Sequence, residues 1–244
     1  MDNSMILVAR LPTVNTLYQA QLLSAMTNIA CNASDHEPGV RQFALLVPHN
    51  KTTSTAVYAI ERYANHAAFQ SHLQTAAVRD MFAWINATPI YGDNPPVVHQ
   101  LSPLNSGPDD ASVKPSSSSG QASAKNPFEY VSPALATTPN PFVVVRQFDY
   151  AGGADAAQAS LPTWEQTVAA KIAGVNIDDG ANGTGVLSYG VFGGVDHAER
   201  IFTITAYADE AAYQKDLKSR TDERDVDEAE PLLLQLRGGF LSRA

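Results

Sequence analysis

Short apolar runs and stretches of helical spacing alternate along the chain in an order that occurs twice. Met5–Leu11 is a run of strand formers. Residues 14–33 follow with apolar positions at helical intervals, Leu17, Leu22, Ala25, Met26 and Ile29 making one face. Residues 39–48 and 55–63 read as two strands of a hairpin across the polar turn that begins at His49, with Tyr58 and Ile60 alternating against Ala59 and Glu61. Asn65 is placed to cap a helix running to about residue 85, and 97–101 closes the series as a strand. The same order returns further on. Residues 142–148 predict a strand, 161–172 a helix opened by Pro162, 185–192 and Arg200–Tyr207 two strands, 210–220 a helix and 232–241 a last strand.

The repetition extends to individual residues. The segment Tyr63-Ala-Asn-His-Ala-Ala-Phe-Gln-Ser-His-Leu aligns without a gap on Tyr207-Ala-Asp-Glu-Ala-Ala-Tyr-Gln-Lys-Asp-Leu, and the same offset pairs Ile60 with Ile204. Gly39-Val40 matches Gly185-Val186, and Phe43 matches Tyr189. A period this long is a duplicated domain, not a solenoid repeat. Between the copies, residues 105–140 contain Pro, Gly and runs of Ser with almost no large apolar residue, the composition of a linker; Phe128, Tyr130, Val131 and Leu135 interrupt its tail and are expected to pin that end to a domain. The expected organisation is therefore 1–104, a linker 105–140, and 141–244.

The predicted fold class is α+β. Each βαββαβ unit has the ferredoxin-like order, an antiparallel sheet with both helices on one face. Its other face is apolar and needs cover. Two such sheets packed face to face give a dimeric α+β barrel, which one tandem chain can build as an intramolecular pseudo-dimer; association into a homodimer as well is compatible with the sequence.

Charge and cysteine content narrow the function. A formal charge of −9 disfavours nucleic acid and anionic membrane as partners. No apolar run approaches a membrane span and no secretory signal is recognisable, so the expectation is a soluble cytoplasmic protein. Cys31 is the single cysteine, and the six histidines form no His-x-x-x-His pair, which leaves no expected metal site. Glycine-rich phosphate-binding loops and a nucleophile elbow are also missing, so no cofactor is expected.

Glu37-Pro-Gly-Val before a strand, then Tyr58-Ala-Ile-Glu-Arg-Tyr-Ala-Asn-His-Ala-Ala-Phe-Gln-Ser-His-Leu, resembles the antibiotic biosynthesis monooxygenase (ABM) family, over residues 4–104 and more faintly 141–244. The resemblance implies a dimeric α+β barrel and a cofactor-independent oxygenase acting on a small aromatic substrate, a phenol or anthrone of polyketide origin. Haem-degrading enzymes and, in related barrels, polyketide cyclases are relatives, so a cyclase, isomerase or dehydratase is an alternative. A non-catalytic barrel for hydrophobic ligands is another.

His72 is the leading candidate for proton transfer, because histidine is the side-chain type whose ordinary pKa lies near neutrality. Glu61 and Tyr63 share one face of their strand and are placed to orient His72 and hold a substrate oxygen; both also have a structural reading, which for Tyr63 is the favoured one because the second copy keeps it as Tyr207. Phe69, Phe82 and Trp84 are candidate aromatic walls, and Arg62, with Arg41, a candidate phenolate partner, although core packing and surface exposure are their commoner roles. Trp164, on the first helix of the second copy, is a further aromatic of this kind. That copy has Asp216 in place of His72 and Thr205 in place of Glu61, so the first copy is the expected seat of the chemistry.

Overall fold

A computed structural model describes residues 4–49, 54–104, 126–173, 185–218 and 227–242. The turn expected at 50–53, most of the expected linker (105–125) and the end of the last helix with the charged stretch after it (219–226) lie outside the described residues.

The first series of elements is β1 (Met5–Leu11), α1 (Thr16–His36), β2 (Val40–Pro48), β3 (Val57–Tyr63), α2 (His66–Leu73), α3 (Ala76–Ala87) and β4 (Val97–Pro103). Asn15 caps α1 by accepting from the Tyr18 N–H at 2.9 Å, and the helix buries Leu22, Met26, Ile29, Ala30 and Ala33. The single helix expected over 65–85 is two. Thr75 adopts an extended conformation (φ −67°, ψ 150°), and its backbone N–H and side-chain hydroxyl both bond the His72 carbonyl, which ends α2 before α3 begins.

Two elements then lie within the tail of the expected linker: β5 (Glu129–Val131) and a turn of 3-10 helix (Pro133–Ala136). Phe128 and Leu135 are buried there in two different apolar clusters. The second series is β6 (Phe142–Asp149), α4 (Gly153–Ala159), α5 (Leu161–Ala173), β7 (Val186–Gly194), β8 (Arg200–Tyr207), α6 (Glu210–Lys218), β9 (Asp227–Glu228) and β10 (Leu232–Phe240). The short α4 and β9 have no counterpart in the sequence-based reading.

All strand pairs are antiparallel, and they close. The order β10-β2-β3-β1-β4-β7-β8-β6 returns to β10, making a barrel, with β5 added on β7 and β9 on β6. Closure removes the unpaired edges of the barrel strands. Two seams join strands from the two series: β4 with β7, and β2 with β10. Side-chain alternation sends Ile6, Val8, Ala44, Leu46 and Ile60 inward to meet Val143, Val145, Phe202, Ile204 and Leu234 in one core. The intervening positions face outward under the helices, around Phe43, Leu45, Val57, Ala59 and Tyr63 in the first series and around Phe142, Val144, Phe148 and Tyr207 in the second.

Local geometry recurs between the series. Ala64 N–H donates to the Gly39 carbonyl and Ala208 N–H to the Gly185 carbonyl, both at 2.8 Å. Each glycine lies against a helix alanine so closely that an added Cβ would come within 2.6 Å of Ala68 Cβ or 2.4 Å of Ala212 Cβ. Asn65 caps α2 through the Ala68 N–H as Asp209 bonds the Ala212 N–H, and the strand register slips after Val40 as it does after Val186.

Candidate functional site

The carboxyl end of α2 packs His72 onto the outer face of the sheet, where it is 3% exposed. Its Nδ1 lies 2.8 Å from Oε2 of Glu37, the residue that follows α1; the other Glu37 oxygen accepts from Asn32 Nδ2 at 2.8 Å. An ionised Glu37 fixes the imidazole tautomer with the proton on Nδ1 and makes Nε2 the basic nitrogen. Glu61 and Tyr63 stand on the same face of β3, and the Tyr63 hydroxyl donates to Glu61 Oε2 at 2.5 Å. The Tyr63 and Phe43 rings lie 5.4 and 5.6 Å from the imidazole, and Phe69 meets Tyr63 edge-on at 5.2 Å.

Burial pushes the Glu61 carboxyl above its ordinary 4.5, against the opposing effects of the Tyr63 hydrogen bond and the nearby His72. Burial and then the Glu61 charge raise Tyr63 well above its ordinary 10.0, so its hydroxyl stays a donor. The cluster thus holds two side chains able to accept a proton, His72 and Glu61, side by side beneath α2 and among buried apolar residues, which is the equipment of general acid–base chemistry. A raised folded-state value means that the folded protein binds more protons than the unfolded chain above pH 4.5, so Glu61 costs stability as pH rises through its folded value. Glu61→Gln is therefore expected to flatten the fall in melting temperature above that pH. A difference profile against wild type with no slope would remove the claim that this carboxyl is held high.

The structure brings His72, Glu61, Tyr63 and Phe69 together. Arg62 is not among them. It is one residue out of phase with Glu61, so it crosses to the barrel interior, where Nη1 bonds Glu129 Oε2 at 2.8 Å and Nε and Nη2 reach Ser4 Oγ at 3.3 and 3.2 Å. Phe82 is 47% exposed on the outside of α3 and forms no wall; Trp84, half-buried, packs at the margin of the outer core. Trp164 is core in the second series, donating Nε1–H to the Tyr150 hydroxyl at 3.0 Å. Arg41 is exposed and, like Arg62, lines a cavity in one end of the barrel.

Glu37 is the site residue that sequence reasoning missed. Its signal was present, because it opens the Glu37-Pro-Gly-Val turn, but the turn was read as backbone geometry. The counterpart site in the second series is buried too, with its charges reversed. Asp216 accepts from the Tyr207 hydroxyl at 2.8 Å and is ion-paired to Lys171 of α5, so an anion with a cationic partner stands where His72 has Glu37. Deeper under those helices, Arg146 faces Thr203 across the β6–β8 pair, at the register occupied by Ala9 and Ala59 in the first series. Both are buried, and Arg146 Nε and Thr203 Oγ1 have no hydrogen-bond partner. Among the described residues, no group of three or more His, Cys, Asp or Glu is arranged to hold a metal ion, and no helix is long and apolar enough to cross a membrane.

The antibiotic biosynthesis monooxygenase family model matches residues 5–84, the span that contains β1 through α3 and the whole His72 cluster. Over those residues the chain is similar to an ABM domain. Solved structures extend the likeness beyond that domain to the full barrel. A candidate monooxygenase from Lactobacillus acidophilus superposes with a TM-score of 0.64 at 13% identity, covering 99% of this chain and 100% of its own. One from Fusobacterium nucleatum gives 0.59 at 15%, covering 98% and 97%. An anthrone oxidase-like protein gives 0.56 at 12%, covering 96% and 91%. At these identities the likeness is one of fold. A search of curated proteins by sequence finds no match. The family match thus reaches from β1 into α3 and stops short of β4, while the barrel of both series is an architecture found in other chains.

Proposed function

We propose that this protein is a cofactor-independent monooxygenase-type enzyme of secondary metabolism that acts on an electron-rich aromatic polyketide, a phenol or an anthrone. The observation that carries the reading is the joint burial of the His72–Glu37 and Glu61–Tyr63 pairs inside the ABM domain. In the reaction, His72 Nε2 takes the acidic proton of the bound substrate, and Glu37 steadies the imidazolium that results. Tyr63 turns its one O–H from Glu61 to the developing oxyanion, and the release leaves Glu61 to take up a proton of its own. The substrate anion is the reductant. It passes electrons to dioxygen and collapses with it to a hydroperoxide, whose loss of water leaves the new carbonyl; one anthrone and one dioxygen give one quinone and one water. Phe43 and Phe69 supply apolar surroundings in which the anion is poorly solvated and reactive.

Incubation of chelator-treated protein with anthrone in air tests this. Quinone absorbance is expected to rise with one dioxygen consumed per product and to stay flat under nitrogen. A rate equal to buffer alone contradicts the proposal. Turnover of a polyketide without oxygen uptake would instead mark a cyclase, isomerase or dehydratase using the same acid–base pairs.

The barrel itself we read as a doubled ferredoxin-like unit, 1–104 and 141–244 joined through 105–140, closed on itself as an intramolecular pseudo-dimer. Support comes from the strand orders β4-β1-β3-β2 and β10-β6-β8-β7, from the equivalent seams, and from the matched glycine–alanine contacts and caps. On this reading closure needs no second chain, so the melting temperature is expected not to change with protein concentration over a hundredfold range. A midpoint that climbs with concentration would place part of the closure between chains.

A further inference from the structure

The end of the barrel that holds Arg62 is open to a cavity of about 610 Å³, within the size range of sites for drug-sized ligands. It lies across the sheet from His72, and its walls come from three sources. The first series gives Ile6 and Arg62, the second gives Ser188, Phe192 and Ile204, and the segment 126–135 closes one side. That segment is held as a rigid strap. Phe128 is fully buried, its carbonyl accepts from Val191 N–H at 3.0 Å, β5 pairs with β7, Ser132 N–H bonds the Leu187 carbonyl at 2.8 Å, and Leu135 enters the barrel core.

Two polar atoms of the strap are buried without a partner: Asn126 Nδ2 and Glu129 Oε1. In both cases the other end of the group is fixed. Asn126 Oδ1 accepts from Phe128 N–H at 3.0 Å, which sets the amide so that Nδ2 is its free donor, and Glu129 Oε2 takes Arg62, which leaves Oε1 as its free acceptor. Buried polar atoms are rarely left unsatisfied, because each forgoes its bonds to water. Here one donor and one acceptor, three residues apart on the strap, belong to side chains that line a chamber of mixed character, where Ile6, Leu135, Phe192 and Ile204 stand beside Arg41, Gln42, Arg62 and Ser188.

We propose that the barrel mouth is a second ligand site, for a flat, mainly apolar molecule that presents a hydroxyl beside a carbonyl, the hydroxyl donating to Glu129 and the carbonyl accepting from Asn126. The ring system lies against Ile6, Leu135, Phe192 and Ile204. The site exists only because both series and the strap meet there, and it stands independently of the oxygenase reading.

The probe is 1,8-dihydroxyanthraquinone, titrated into full-length protein labelled at Ile and Leu methyl groups. The expected result is saturable shifts at Ile6, Leu135 and Ile204. Asn126→Asp keeps the oxygen that Phe128 bonds but replaces the free donor with an acceptor, and is expected to weaken binding about tenfold. Ser188→Trp fills the chamber and is expected to weaken it at least as much, while His72→Ala leaves it unchanged. Circular dichroism confirms that each variant is folded. Shifts confined to outer-core methyls such as Leu22 and Ile29 of α1, no saturable shift at all, or an affinity within twofold of wild type in folded Asn126→Asp and Ser188→Trp would overturn the proposal.

Discussion

Gly239→Val is expected to destabilise the fold by about 3 kcal/mol or more, among the largest effects available to a single substitution. Gly239 lies in β10 at φ +75°, and a Cβ there would sit 1.8 Å from the carbonyl oxygen of Phe43 on β2. Two costs add: the left-handed backbone that a branched side chain resists, and a collision with backbone that cannot swing aside. The position is also a seam, because β10–β2 is one of the two pairings that join the two series. Loss should therefore appear first as faster hydrogen exchange of the Phe43 and Leu45 amides, then as a lower urea midpoint. Gly153 provides the control. Its φ is +73° but nothing lies within 4 Å of an added Cβ, so Gly153→Ala should cost only about 1–2 kcal/mol. Equal losses at the two glycines would mean that backbone conformation, not the seam, decides the outcome.

Asp216→Ala is expected to cost about 3–5 kcal/mol, the range for removing one member of a buried ion pair. The substitution strands Lys171, whose side chain is 16% exposed, and leaves the Tyr207 hydroxyl without its acceptor. Removing both charges in Asp216→Leu/Lys171→Met should restore much of the loss, since an apolar pair of similar volume carries no desolvation penalty. Urea denaturation of Asp216→Leu, Lys171→Met and the double completes the cycle; a double variant that loses the sum of those singles would show that the two residues do not act as a pair. The result bears on function, because it classifies the second series' cluster as structural support where the first series has a proton-accepting pair.

Much of the fold was legible from alternation and spacing. The strands carry their own two faces, as in Tyr58 and Ile60 against Ala59 and Glu61, and the match of Tyr63 with Tyr207 marks equivalent positions in the two series of elements. Three features were hidden for physical reasons. The break at Thr75 depends on one extended residue whose hydroxyl bonds back to His72, and threonine has no composition signal as a breaker. The strap at 126–135 is set in Ser- and Pro-rich sequence, and its strand is stabilised by β7, far away in the chain. The partners of the candidate site were the least visible. Glu37 and Lys171 reach His72 and Asp216 from other elements, and a pairing across elements has no period to reveal it. Arg62 is the opposite case: period two already separated it from Glu61, but which face the helices cover is decided only by the packed sheet.

On the proposed reading the fold is doubled while the proton-handling chemistry is single. Steady-state anthrone oxidation by wild type, His72→Gln and Asp216→Asn, measured at a temperature where all three are folded, tests it most directly. His72→Gln is expected to lower kcat by about a hundredfold or more, the usual worth of a positioned base, while Asp216→Asn stays within about threefold of wild type. A wild-type rate in His72→Gln, or a comparable collapse in Asp216→Asn, would contradict it.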